Sequence, residues 1–154
     1  METLRRVPYL NVVDDKKFHM TLHFFGEIDA KDIALVKEAM DSIPKGAFKM
    51  QLTRIGAFPD EKRIRVLWIG VESPELLRLQ AALERALEEK GFNSERGYIP
   101  HVTLARVRAR PGVEVTGLIG EAGFGHADAD TVSLYQSTPT KQGHEYKVLH
   151  SVKL

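Results

Sequence analysis

The sequence predicts an α+β fold built on antiparallel sheets. Strand-like runs outnumber helical ones and are joined by turn signals, and two segments carry apolar residues at helical spacing. The order is strand, helix, strand, strand, helix, strand and a closing hairpin, which is that of an α+β protein rather than an alternating parallel one.

The elements follow in order. Residues 5–13 supply at most one short strand, with Pro8 at its edge or start because proline brings no amide hydrogen to a ladder. Residues 18–25 read as a strand stopped by Gly26. Asp29 is the expected cap of a helix over about 30–42, in which Ile33, Val36 and Met40 recur on one side and which Pro44 and Gly46 end. Phe48, Met50 and Leu52 alternate with Lys49, Gln51 and Thr53, the pattern of a half-buried strand. Phe58-Pro59-Asp60 marks a turn into residues 63–71, whose branched and aromatic content predicts a central strand with Trp68 packed on one side.

Ser73-Pro74-Glu75 opens a second helix, with serine as cap and proline in the first turn. Leu76, Leu79, Leu83 and Leu87 form its apolar stripe, Leu77 and Ala86 widen it, and Lys90-Gly91 closes it. Residues 99–107 read as a strand, and 130–137 with 146–152 as a terminal hairpin around 139–143. Residues 111–127 are glycine-rich and give no firm reading.

At 154 residues the chain fits one domain, and a domain of this size buries roughly 70% of the surface its unfolded form exposes. The 43% hydrophobic and 28% charged content is that of a soluble globular protein. The absence of cysteine excludes disulfides, thiolate zinc sites and a cysteine nucleophile, and suits a cytoplasmic protein. No apolar stretch approaches the ~18 residues that a spanning helix needs. A net charge of +1 argues against coating nucleic acid by bulk electrostatics. Locally, Arg63, Arg65, Arg96, Arg106, Arg108 and Arg110 either hold a few phosphates or form the solvated face of strands.

The most informative feature is a pattern that occurs twice, His19-Met20-Thr21-Leu22 and His101-Val102-Thr103-Leu104. In a strand, side chains two apart share a face, so each copy offers a histidine beside a threonine and turns its apolar residues the other way. If the two strands lie next to each other, two imidazoles and two hydroxyls converge on one groove, a complete set of parts for acid–base chemistry on a phosphate. Imidazole suits both roles because its ordinary pKa of ~6.5 lets one ring be neutral and another protonated near neutrality. The hydroxyls of Thr21 and Thr103 would donate to non-bridging oxygens, where charge builds. The residues alone do not say which histidine is acid and which is base.

Around these copies the sequence reads Phe18-His19-Met20-Thr21-Leu22-His23-Phe24-Phe25-Gly26 and Ile99-Pro100-His101-Val102-Thr103-Leu104-Ala105-Arg106. Gly56-Ala57-Phe58-Pro59, the run from Arg63 to Gly70, Leu134-Tyr135-Gln136-Ser137-Thr138 and Gly143-His144-Glu145-Tyr146 continue the pattern. From Phe18 to the C-terminus the chain resembles the 2H phosphoesterase superfamily, and within it the RNA 2′,3′-cyclic phosphodiesterases, historically called 2′-5′ RNA ligases. The resemblance implies a bilobal fold with pseudo-two-fold symmetry. Two antiparallel sheets would flank a central cleft, with helices on the outside. It further implies metal-independent hydrolysis of RNA or nucleotide 2′,3′-cyclic phosphate ends to the 2′-phosphate, with His19 as acid and His101 as base, Thr21 and Thr103 beside them, and no cofactor. The expected partners are RNA ends or small cyclic nucleotides, with no membrane, and the expected state is a monomer.

The family usually places a further strand and helix ahead of the first motif. Here 1–154 is expected to be one bilobal domain in which that strand and helix are missing or reduced. Arg106, Tyr98 and Tyr135 are candidate substrate-binding residues, the tyrosines by stacking on a base. By strict alternation Arg106 faces away from His101, so a bend would have to turn it inward. Phe58 and Trp68 read as core, and His23 as structural. Two alternatives stay open: a metal site formed by His19, His23 and His101, and a non-catalytic protein that binds RNA ends or cyclic nucleotides.

Overall fold

The computed structural model describes residues 2–7, 9–94, 97–108, 117–121, 124–140 and 143–154. Pro8, Arg96 and Arg110 lie outside the described residues, as does most of the glycine-rich stretch. The chain is α+β and divides into two compact units, each assembled from three stretches.

The first unit comprises Met1–Leu22, Met50–Ser73 and Gly97–Ala127. It contains a short helix α1 (Glu2–Arg5), strand β1 (Leu10–Val12) and a 3-10 turn (Asp15–Lys17). The long strand β2 (Phe48–Phe58) enters it at Met50, and β3 (Val66–Glu72) follows. An antiparallel sheet runs in the order β1, β4 (His101–Val107), β3, β2, β5 (Gly120–Glu121), and β6 (His126–Ala129) also pairs with β2. Within the 63–71 run, Val66 onward becomes the central strand that its composition predicts, and 63–65 stay in the turn before it. The predicted short strand ahead of residue 18 forms as β1, whose edge position needs only one ladder.

One face of this sheet carries a core of Leu4, Ala57, Ile64, Leu67, Ile69, Leu104 and Ala105, with Phe18, Leu52, Ile55 and Val102 packed against it. At the β2–β3 turn the Asp60 carboxylate accepts the amides of Lys62 and Arg63 at 2.9 and 3.0 Å.

The second unit comprises His23–Lys49, Pro74–Arg96 and Asp128–Leu154. It holds α2 (Ala30–Asp41), α3 (Pro74–Glu89) and the hairpin of β7 (Thr131–Thr140) with β8 (Gly143–Lys153), which forms a separate two-stranded sheet. Val36, Ala39 and Met40 are the buried side of α2, and Leu76, Leu79, Leu83 and Leu87 that of α3. Leu77 is 51% exposed and does not widen the stripe; Gln80 and Glu84 are buried there instead. Gly91 adopts φ +91° and closes α3 with two reverse bonds, Gly91 N to Glu88 O and Phe92 N to Leu87 O, so a left-handed glycine ends the helix where Lys90-Gly91 predicts. No described helix is long and apolar enough to cross a membrane.

Residues 18–25 depart from expectation, since they belong to no strand among the described residues. The chain leaves the 3-10 turn at Phe18 and bends at Leu22, where one unit gives way to the other, so the run is too short on either side of the bend to sustain a ladder. Its alternation survives as burial: His19 and Thr21 are exposed while Met20 and Leu22 are half-buried.

Candidate active site

The β3–β4 ladder fixes which side chains share the face opposite the first unit's core. Gly70 pairs with His101, Ile69 with Val102, Trp68 with Thr103, Leu67 with Ala105 and Val66 with Arg106. Between Trp68 and Leu67 the partner strand spends two steps, so β4 carries a bulge at Leu104. Leu104 and Ala105 are consecutive and both buried, at 6% and 0% exposed, and alternation slips by one place beyond them. Arg106 therefore joins His101 and Thr103 on one face. The bulge is the bend that strict alternation lacks.

His101 is the first residue of β4, and its Nδ1 lies 2.8 Å from the Ile99 carbonyl oxygen. A carbonyl can only accept, so Nδ1 carries the hydrogen and Nε2 is the nitrogen through which a proton is exchanged. The imidazole meets Phe58 edge-on at 5.0 Å between centroids and lies 6.1 Å from the indole of Trp68. Phe58 and Trp68 are themselves 5.2 Å apart. Both read as core from the sequence. Trp68 is indeed 9% exposed, yet together they form the wall against which His101 rests.

The indole lies flat over Gly56, where an added Cβ would come within 2.2 Å of the Trp68 ring. Its Nε1 is buried with no hydrogen-bond partner among the described residues.

The first motif repeats the second's local geometry without the strand. His19 Nδ1 lies 2.8 Å from the carbonyl oxygen of Lys17, again two residues upstream, which fixes the same tautomer. The approach is set by the 3-10 turn, whose Asp14 carboxylate accepts the Lys16 amide at 3.0 Å, and by Phe18, which packs into the first unit's core. His19, Thr21, His101 and Thr103 all belong to this unit.

Tyr98 also lies in the first unit, half-buried with its hydroxyl shielded from solvent. Tyr135 is in the second, 51% exposed on the hairpin with the Tyr146 ring 6.4 Å away. His23 likewise belongs to the second unit, and its Nδ1 bonds Glu84 Oε1 at 2.8 Å with both side chains nearly buried. That is a structural role. Among the described residues no three His, Asp or Glu side chains cluster closely enough to hold a metal ion.

Sequence reasoning missed Arg54, which reaches this face from β2 with its guanidinium 6.0 Å from the Trp68 ring centroid. Trp68 paired with Gly56 is the signal that could have promoted Trp68 from core to site. Nothing in the string marks Arg54.

Residues 1–136 match the family model described as the 2′-5′ RNA ligase superfamily. The RNA 2′,3′-cyclic phosphodiesterase of Aeropyrum pernix is 36% identical over 94% of this chain and 86% of its own length. The protein of the same description from Methanocaldococcus jannaschii is 31% identical over 91% and 82%. Among solved structures, one from Thermus thermophilus superposes with a TM-score of 0.86 at 24% identity, covering 99% of this chain and 86% of that one. Escherichia coli LigT complexed with 3′-AMP superposes at 0.76 with 27% identity, covering 95% and 82%.

Proposed function

The chain belongs to the 2′-5′ RNA ligase superfamily, and on that footing we propose that it is an RNA 2′,3′-cyclic phosphodiesterase. It hydrolyses RNA or nucleotide cyclic phosphate ends to the 2′-phosphate, without a metal, by means of His19 and His101. The observation that carries the reading is the matched histidine geometry. Each Nδ1 is held 2.8 Å from the carbonyl oxygen two residues before it, which leaves both rings to work through Nε2. The activity for which the relatives are named and the nucleotide held by the Escherichia coli protein point the same way.

In-line displacement at phosphorus needs a water on one side and a departing ribose oxygen on the other. His101 Nε2 takes the proton of the attacking water, the bond from phosphorus to O3′ breaks, and His19 Nε2–H delivers its proton to that oxygen. The cyclic diester and water thus become a 2′-monoester and a free 3′-hydroxyl, with the two imidazoles exchanging protonation states. Thr21 and Thr103 donate to the non-bridging oxygens, and Arg106 offsets their charge from the same face as Thr103. Acid and base are each worth ~10²–10⁴ in rate, or about 3–5 kcal/mol of transition-state stabilisation.

Phosphorus NMR of a 2′,3′-cyclic nucleotide incubated with the protein and with His101→Ala tests this. The wild type is expected to convert the cyclic resonance to that of a 2′-monoester, and the variant to leave it essentially unchanged. A wild-type protein that perturbs the cyclic resonance and never converts it would be a binding protein.

A further inference from the structure

The second unit holds a cavity of about 440 Å³ that the proposed chemistry does not use, within the ~300–1,000 Å³ of ordinary ligand clefts. Two segments build it. One is residues 23–28 ahead of α2, and the other is the end of α3, where the left-handed Gly91 turns Phe92 back so that its amide bonds the Leu87 carbonyl. Phe92 then meets the Phe25 ring edge-on at 5.5 Å between centroids, and Phe25 lies 4.4 Å from the imidazole of His23.

The polar groups around these rings are uncommitted. The Glu84 carboxylate accepts from His23 Nδ1 at 2.8 Å, so Nδ1 carries the hydrogen. In the neutral ring Nε2 is then an acceptor, on a side chain only 5% exposed, and it has no hydrogen-bond partner among the described residues. Asp32, on the first turn of α2, Asn93 and Ser94 also line the cavity. Their side chains make no hydrogen bond or ion pair among the described residues. Lys90 at the rim is paired with Glu38.

We propose that this cavity is a nucleobase site with a preference for guanine. The proposal rests on the phosphodiesterase reading above, which makes unpaired RNA the molecule presented to it. Aromatic rings hold a flat base by stacking, and unpaired bases of RNA are read through their Watson–Crick edge. An ionised carboxylate only accepts, and its two oxygens suit donors on two adjacent atoms. Guanine alone among the RNA bases offers such donors on that edge, N1–H beside the 2-amino group. Asn93 or Ser94 can donate to its O6. A phosphate fits worse, because Asp32 repels it and Lys90 is already engaged.

NMR titration of nitrogen-labelled protein with nucleosides tests the proposal, since nucleosides carry no phosphate for the histidines of the two motifs to act on. Guanosine is expected to shift the Asn93 side-chain amide and the Ser94 backbone amide. It should bind about tenfold more tightly than inosine, which differs only in lacking the 2-amino group. Asp32→Ala is expected to bring the two affinities close together.

No binding of guanosine, equal affinity for guanosine and inosine, shifts confined to signals outside the cavity, or an undiminished difference in Asp32→Ala overturns the inference. None of these outcomes touches the hydrolytic reading, which falls separately if the same protein leaves a 2′,3′-cyclic nucleotide unconverted. If Asp32→Ala does not fold, the wild-type comparison of guanosine with inosine still decides.

Discussion

Arg106 stands directly across the ladder from Val66, and that pairing puts its side chain on the face that bears Thr103 and His101. Strict alternation from His101 would send it the other way. The difference comes from one extra residue at Leu104, whose carbonyl accepts the Val13 amide at 2.9 Å beside the edge strand β1. A backbone irregularity thereby decides which residue stands on the face of Thr103 and His101.

Arg106→Gln is accordingly expected to raise KM for a cyclic phosphate about tenfold, the scale of losing one hydrogen bond to a charged group, and to change kcat less. Initial-rate kinetics at constant ionic strength measures it. An unaltered KM would mean that the side chain serves only the solvated edge.

His19→Ala and His101→Ala are each expected to lower kcat by ~10²–10⁴, consistent with removing a single general acid or base. Because the two rings must be in opposite protonation states, kcat/KM of the wild type should be bell-shaped in pH, and each variant's residual rate should lose one limb. Circular dichroism of both variants should match the wild type, since neither imidazole belongs to the buried core.

Gly56→Ala is expected to dislodge the indole of Trp68, because its Cβ would overlap ring atoms at 2.2 Å. Overpacking of this kind costs roughly 1–3 kcal/mol. Trp68 is the chain's single tryptophan, so a red-shifted emission reports the displacement directly. With the wall behind His101 disturbed, kcat should fall by more than the loss of folded protein explains.

Glu84→Leu is expected to destabilise the protein by about 1–3 kcal/mol, since it leaves the Nδ1 of a 5% exposed His23 facing an apolar group. Urea unfolding should show a lower midpoint. Turnover per folded molecule should persist, because His23 belongs to the second unit and bonds a helix residue there.

Much of the architecture is readable in the string where pattern and packing agree. The leucines of α3 with Gly91 after them, α2 over Ala30–Asp41 and the central β3 all form where spacing and composition place them, although Asp29 precedes α2 without a side-chain cap bond. The candidate site is legible in part. Repetition singles out His19 and His101, and their shared tautomer follows from backbone positions that a sequence does not display.

What escapes is register. The bulges at Leu104 and at Thr53-Arg54 depend on which residue lies opposite on another strand, and they move Arg106 and Arg54 to a face that counting by twos denies them. Residues 18–25 show the converse. Alternation there predicts a strand, but a strand needs a partner, and the bend at Leu22 removes the length over which one could form. Leu77 fails for a related reason: helical spacing marks the edge of a stripe without saying how wide the neighbouring surface is.

The division into two units has a consequence for how the molecule comes to be. The chain passes from one unit to the other five times, at 22–23, 49–50, 73–74, 96–97 and 127–128. Neither unit is a contiguous stretch that a gene fragment could encode. A nascent polypeptide cannot finish the first before residue 127 has emerged, nor the second before its closing hairpin. Both must wait for distant segments, a topology that slows acquisition of the native state and leaves partly made chains in need of protection during synthesis.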